Sequence, residues 1–154
     1  MSTHDFLKEE DCLYYKEQLP VYFQYVTLFG FEQEGILIGF MGIAEGNLEM
    51  LFIDNNYRGT GIGKKLVTYA INHLQVTKVD VNEQNIQAVG FYKYIGFNVY
   101  KRSDLDGEGK EYRVKHSVFR RKASGRIFFK QEYRLCRAVG VKRVGTPYFL
   151  RRFP

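Results

Sequence analysis

Tryptophan is absent from these 154 residues, proline occurs three times, histidine three times and cysteine twice. The two cysteines, Cys12 and Cys136, stand far apart in the chain, which argues against a disulfide framework and against a cysteine-built metal site. His4, His73 and His116 are equally scattered, so no metal is expected. No apolar run approaches the ~18 residues that a membrane-spanning helix needs, and no secretory leader opens the sequence. A reducing cytoplasm is therefore the expected location. There is no internal repeat. What the chain has in quantity is aromatic: 12 tyrosines and 13 phenylalanines, within an apolar share of 45% and a charged share of 26%. That composition suits one globular domain with a substantial core.

The net charge of +6 is unevenly placed. Residues 1–118 carry 12 Lys/Arg and 16 Asp/Glu, whereas residues 119–154 carry 11 Lys/Arg and the single acid Glu132. The body is mildly acidic and the excess basicity belongs to the end of the chain. A nucleic-acid reading of the whole protein from its isoelectric point would therefore be misplaced.

Hydrophobic periodicity places the elements. Phe6–Leu19 reads as a short surface helix stopped by Pro20. "VYFQYVTLFGF", "ILIGFMGIA" and "LEMLFI" read as three strands joined by the turns "EQEG" and "EGN", an antiparallel meander. The period then changes: Ile62, Leu66, Tyr69, Ala70 and His73 line one face of a helix. "VTKVDV" is a strand, and Ala88, Phe91, Tyr92 and Ile95 line a second amphipathic helix closed by Gly96. "FNVYKRS" and "EYRVKHSVF" are strands on either side of the turn-rich "DLDGEGK". The fold class is a mixed α/β domain with one central, mostly antiparallel sheet flanked by helices.

Three glycines at alternating positions, Gly59, Gly61 and Gly63, fall between a strand and a helix in "IDNNYRGTGIGKKLVTYA". The first amides of a helix have no intrahelical partner, and the helix dipole is positive there. Without Cβ atoms in the way, a pyrophosphate can reach those amides at hydrogen-bond distance. Arg58 and Lys64 add positive charge on either side. A glycine-rich turn kept only for its geometry is the competing explanation. A P-loop fails, because only three residues separate Gly59 from Gly63 and Lys65 stands where the metal-binding hydroxyl belongs. A dinucleotide fingerprint fails on its GxGxG spacing and on the three strands ahead of it, although Asp80 lies at a ribose-binding distance downstream.

Arg58-x-x-Gly61-x-Gly63 resembles the acetyl-coenzyme A signature of the GNAT superfamily of N-acetyltransferases. "VNEQNIQAVGFYKYIGF", Val81 to Phe97, resembles that family's second motif. The resemblance runs from Ser2 to about Val118 and is nearest to small stand-alone bacterial members of the YjaB type. It implies acetyl-CoA as co-substrate, a primary amine as acceptor, and direct attack of the amine in a ternary complex. It further implies that the pantetheine arm lies in a splay between the strands at Glu49–Ile53 and Val76–Val81. The cofactor-binding set is then Leu51, Phe52, Ile53, Arg58, Gly59, Thr60, Gly61, Ile62, Gly63, Lys64 and Asn85.

Acyl transfer from a thioester to an amine needs three things: a deprotonated amine, a donor for the developing oxyanion, and an acid for the leaving thiolate. The resemblance assigns Tyr92 as the acid facing the coenzyme sulfur, and a main-chain amide within Leu51–Ile53 as the oxyanion donor. Amphipathic packing is the alternative role for Tyr92, and helix N-capping the alternative for Asn85. Glu49 is the candidate base, with an exposed strand glutamate as the alternative, and His4 is a second candidate. His73 and His116 are assigned no role.

The sequence departs from the family at both ends. Family members carry a strand and a helix ahead of "THDFL", so this chain is expected to lack them, to leave "VYFQYVTLF" as an open sheet edge and to pair there as a homodimer. Residues 119–154 form a basic C-terminal extension without clean periodicity, expected outside the 1–118 domain. Two readings of another class stay open: a catalytically impaired CoA-binding remnant, and a nucleic-acid binder acting through the basic tail.

Overall fold

A computed structural model describes residues 7–120 and 141–143 of the chain. In chain order its elements are α1 (Glu9–Tyr25), β1 (Thr27–Gln33), β2 (Ile36–Ala44), β3 (Asn47–Ile53), α2 (Ile62–His73), β4 (Lys78–Asn82), α3 (Ile86–Ile95), β5 (Phe97–Ser103), β6 (Val114–Phe119) and β7 (Val141–Arg143). The described residues group into two compact units, 7–20 with 77–120 and 21–76 with 141–143.

The second of these units is the predicted meander. β2 pairs antiparallel with β1 on one side and with β3 on the other. Each hairpin turns on two residues of positive φ, Glu34–Gly35 and Glu45–Gly46, which is the backbone sign that matches the right-handed twist of the strands. α2 packs on β2 and β3, and its buried Ile62, Leu66, Val67, Ala70 and Ile71 cover the sheet face that carries Phe31 and Met41, while Leu28 and Ile38 are buried on the opposite face with Phe40. Complete burial of a side chain such as Leu66 contributes about 1.5–3 kcal/mol.

Two expectations fail at the start of the chain. Pro20 does not end the first helix: α1 runs through it to Tyr25. The strand predicted from Val21 accordingly begins only at Thr27. The reason is packing. Helical geometry buries Phe23, whose ring meets that of Phe40 edge-on at 6.0 Å. Non-local burial of this kind overrides the β preference of "VYF" and offsets the cost of a proline inside a helix.

The open edge expected at β1 is also changed. Val141–Arg143 run antiparallel to it, in the register Phe29↔Arg143, Gly30↔Lys142 and Phe31↔Val141. The edge proposed for homodimer pairing is thus occupied over Phe29–Phe31 by a piece of the basic extension, which satisfies backbone groups that would otherwise recruit another chain. A chain truncated after Lys122 loses this strand. It is expected to keep its affinity for coenzyme, because β7 pairs with β1 and not with the strand that leads into the glycine-rich loop, but to elute as dimers or larger species in size-exclusion chromatography. A truncated chain that elutes as a clean monomer would contradict this role for β7. The remainder of the extension lies outside the described residues.

In the first unit, β6 lies between β4 and β5, antiparallel to both, and α3 packs on β4 and β5. Val79, Val81, Phe97, Ser117 and Phe119 are buried on the α3 side with Tyr92. The turn "DLDGEGK" is built on Asp106, whose Oδ1 accepts the N–H groups of Glu108 (2.9 Å) and Lys110 (2.8 Å). It is tied to the first turns of α1. Lys110 pairs with Asp11 and stands 4.1 Å from the centre of the Tyr14 ring, and Tyr112 donates its hydroxyl to Asp11 at 2.5 Å. The hydrogen bonds from Lys110 and Tyr112 hold the Asp11 carboxyl below the usual carboxylate range.

Candidate active site

The glycine-rich loop takes the form the sequence suggested, for a partly different reason. After β3, Asp54 caps a short 3-10 turn (Asn55–Tyr57) by accepting the Asn56 N–H at 2.8 Å. Arg58 follows in extended backbone, and Thr60 closes back on the Tyr57 carbonyl through its hydroxyl at 2.6 Å. Gly59 and Gly61 have φ of 78° and 85°, a region that other L-residues enter only with strain. Gly63 does not: it lies within the first turn of α2 with negative φ. Two of the three glycines are therefore demanded by the backbone itself.

The space beside Gly59 and Gly61 is open: a Cβ added at either would meet no atom within 4 Å. The first intrahelical hydrogen bond of α2 runs from the Lys65 N–H to the Gly61 carbonyl (3.0 Å), so the amides of Ile62 and Gly63 precede it at the positive end of the helix. Arg58 and Lys64 flank this opening with positive charge. The cradle fits a diphosphate.

β3 supplies the predicted main-chain donors, and its pairing distinguishes among them. The Asp54 N–H donates to the Ile38 carbonyl at 2.9 Å, and Phe52 stands opposite Phe40 on the same ladder. Because antiparallel hydrogen bonding alternates, the Phe52 amide is turned toward β2, and those of Leu51 and Ile53 are turned away from it. Of the three predicted amides, those of Leu51 and Ile53 are thus the ones not engaged by β2, while the Phe52 ring stacks on Phe40 at 4.9 Å. Glu49, two residues earlier, is exposed and accepts a 2.8 Å hydrogen bond from Asn47.

Asn85 and Tyr92 belong to the other unit. Asn85 caps α3, its Oδ1 accepting the Ala88 N–H at 3.0 Å. The N-cap role is therefore real, and any cofactor contact falls to its Nδ2. Tyr92 is buried between the rings of Phe91 (5.1 Å, edge-on) and Phe97 (5.8 Å, edge-on). Burial pushes its phenol well above the ordinary tyrosine range. The same ring lines a cavity of about 320 Å³, with Val81, Val89, Phe97, Val99 and Ser117. Sequence reasoning missed this cavity, because its walls come from four elements whose alignment periodicity does not give. The amphipathic spacing of Tyr92 was the available signal.

The histidines divide. His4 lies outside the described residues. His73, at the end of α2, stacks on Tyr69 at 4.6 Å. His116 lies on β6, as expected. Among the described residues no group of three or more His, Cys, Asp or Glu is placed to hold a metal, and no helix is long and apolar enough to cross a membrane.

Comparison with known proteins agrees with the geometry. The acetyltransferase (GNAT) domain family matches residues 8–110. The chain belongs to the GNAT acetyltransferase family. It is 37% identical over 119 residues to the peptidyl-lysine N-acetyltransferase YjaB of Salmonella typhimurium, covering 77% of this chain and 82% of that protein. It is 34% identical over 112 residues to the spermine/spermidine N(1)-acetyltransferase of Bacillus subtilis, covering 64% of this chain and 70% of that one. The solution structure of apo YjaB from Escherichia coli superimposes with a TM-score of 0.70 at 35% identity, covering 77% of this chain and 81% of that one. The mixed α/β, mostly antiparallel arrangement read from the sequence is thus the GNAT fold, and the protein is an acyltransferase of that family.

Proposed function

We propose that this GNAT protein transfers the acetyl group of acetyl-CoA to the ε-amine of protein lysine residues, by direct attack of the amine on the thioester. The observation that carries the donor half is the pair of positive-φ glycines, Gly59 and Gly61, which open the mouth of α2. Identity to a peptidyl-lysine N-acetyltransferase supports the acceptor. Main-chain amides from Gly59 through Thr60, Gly61, Ile62 and Gly63 to Lys64 bind the diphosphate, with Arg58 and Lys64 contributing charge. The amides of Leu51 and Ile53 stabilise the oxyanion, Phe52 walls the strand, and Asn85 contacts the cofactor through Nδ2. A lysine amine of pKa about 10.4 must lose its proton before attack, and Glu49 takes it directly or through water.

Tyr92 is the donor to the departing sulfur. Its raised pKa keeps the phenol protonated throughout the neutral range. Full proton transfer to a thiolate whose conjugate acid is near 8.5 is uphill from such a phenol. Hydrogen bonding to the sulfur as charge develops is the assistance it offers. Cysteine usage accords with work in the cytoplasm.

The test is thiol release from acetyl-CoA with a lysine-containing peptide, set beside the same peptide with acetylated lysine and beside spermine. Release with the free lysine peptide alone is the expected result. Release with spermine alone would reassign the acceptor to polyamines. Calorimetric binding of acetyl-CoA without release on either would identify a CoA-binding remnant.

A further inference from the structure

Three side chains that the acetyl-transfer reading does not use form one hydrogen-bonded chain in the unit of residues 7–20 and 77–120. Asp80 Oδ1 lies 2.7 Å from His116 Nδ1, and His116 Nε2 lies 2.7 Å from Ser103 Oγ. An ionised carboxylate can only accept, so the Nδ1 carries the proton. In the neutral imidazole the Nε2 is then the acceptor, and the Ser103 hydroxyl donates to it. This is a serine bonded to a base that is itself oriented by a carboxylate.

The arrangement depends on an irregularity in β5. Asp80 and His116 are direct cross-strand partners on β4 and β6 and share a face by register. Ser103 reaches that face only through a bulge. Val99 pairs with Ser117, but Lys101 pairs with His116, so Tyr100 is the extra residue. In an unbulged strand the residues at 99, 101 and 103 would all share the face of Val99 and Ser117. The inserted residue turns Lys101 and Ser103 to the side of Asp80 and His116, as bulges beside reactive groups commonly re-aim a side chain. The Tyr100 ring itself lies 6.4 Å from the imidazole. Water and small molecules reach the chain: the His116 and Asp80 side chains are 21% and 44% exposed, and Ser103 is half-buried.

We propose that Ser103 is a nucleophile, with His116 as its base and Asp80 as the positioning residue, acting on small activated acyl esters. Ser103 Oγ attacks the ester carbonyl carbon as its proton passes to His116 Nε2. The C–O bond to the leaving alcohol breaks, and His116 returns the proton to that oxygen. Water then attacks the acyl-serine ester, giving its proton to His116, which restores the Ser103 hydroxyl as the carboxylic acid leaves. The net reaction is ester plus water to acid plus alcohol. Lys101, opposite His116 in the register and two residues from Ser103, adds a positively charged residue to the same strand face. Because Asp80 is partly exposed, its charge is screened and its contribution is the smallest of the three.

The full chain is incubated with a fluorophosphonate probe and the adduct mapped by peptide mass spectrometry; hydrolysis of p-nitrophenyl acetate is followed in parallel. The adduct is expected on Ser103. His116→Gln is expected to slow labelling and hydrolysis by about 10²–10⁴-fold, Asp80→Asn by a smaller factor, and Ser103→Ala to abolish both at that site. Mapping on the unmodified chain needs no variant to fold. Absence of an adduct on Ser103, or labelling undiminished by His116→Gln with an unchanged melting profile, overturns the proposal. Neither readout involves acetyl-CoA, so this inference and the acetyltransferase reading stand or fall separately.

Discussion

Tyr92→Phe should lower the turnover of acetyl transfer by about 10²–10³-fold, the range for losing one hydrogen-bond donor to a developing anion, with affinity for acetyl-CoA unchanged. The substitution keeps the ring, so the edge-on contacts with Phe91 and Phe97 persist and only the hydroxyl is removed. Calorimetry with acetyl-CoA and thiol release with the lysine peptide separate the two quantities. A variant that turns over as fast as the parent would leave Tyr92 a core residue with no part in the chemistry. The pH dependence follows from burial. Since the folded protein penalises the phenolate, the phenol's folded pKa lies above its unfolded value. The donor is then present through the whole neutral range, and no loss of rate on the alkaline side below about pH 10 is attributable to Tyr92. The same sign governs stability. The contribution from keeping the phenol neutral is complete below its unfolded pKa of about 10 and is lost as pH rises from there through the folded value.

Gly61→Val should weaken acetyl-CoA binding about a hundredfold or more, combining two costs. A non-glycine residue at φ of 85° carries about 1–2 kcal/mol of backbone strain, and β-branching makes it worse. The added side chain also fills the open space before the first amides of α2. Gly63→Ala separates these effects. Gly63 has negative φ within α2, so alanine there relieves helix entropy by up to about 1 kcal/mol. A Gly63→Ala chain that melts higher yet binds acetyl-CoA more weakly would locate the loss in the approach of the ligand and not in the fold. If both variants bound as the parent does while correctly folded, the diphosphate would have to sit elsewhere.

Much of this was readable in one dimension. The meander of β1–β3, the apolar face of α2 and the capping residues Asn85 and Gly96 rest on period, turn chemistry and helix ends. These are interactions within a few residues, which the sequence states directly. The Arg58–Lys64 loop is equally local, since Gly59 and Gly61 are fixed by the sign of their own φ. Where the reading failed, the deciding contact came from far along the chain. α1 continues through Pro20 because Phe23 has Phe40 to pack against. β1 is covered over Phe29–Phe31 because Val141–Arg143 reach it from more than a hundred residues away.

The site divides along the same line. The sequence alone singled out the amides and charges proposed to hold the diphosphate, because they belong to one loop and one helix end. Only the tertiary structure decided that the Leu51 and Ile53 amides turn away from β2, that Tyr92 is buried deeply enough to stay protonated, and that Ser103 shares a face with His116. The first and last of these depend on strand register and a single bulge. One extra residue, Tyr100, moves every later side chain of β5 to the opposite face, and no local property of "FNVYKRS" reveals it.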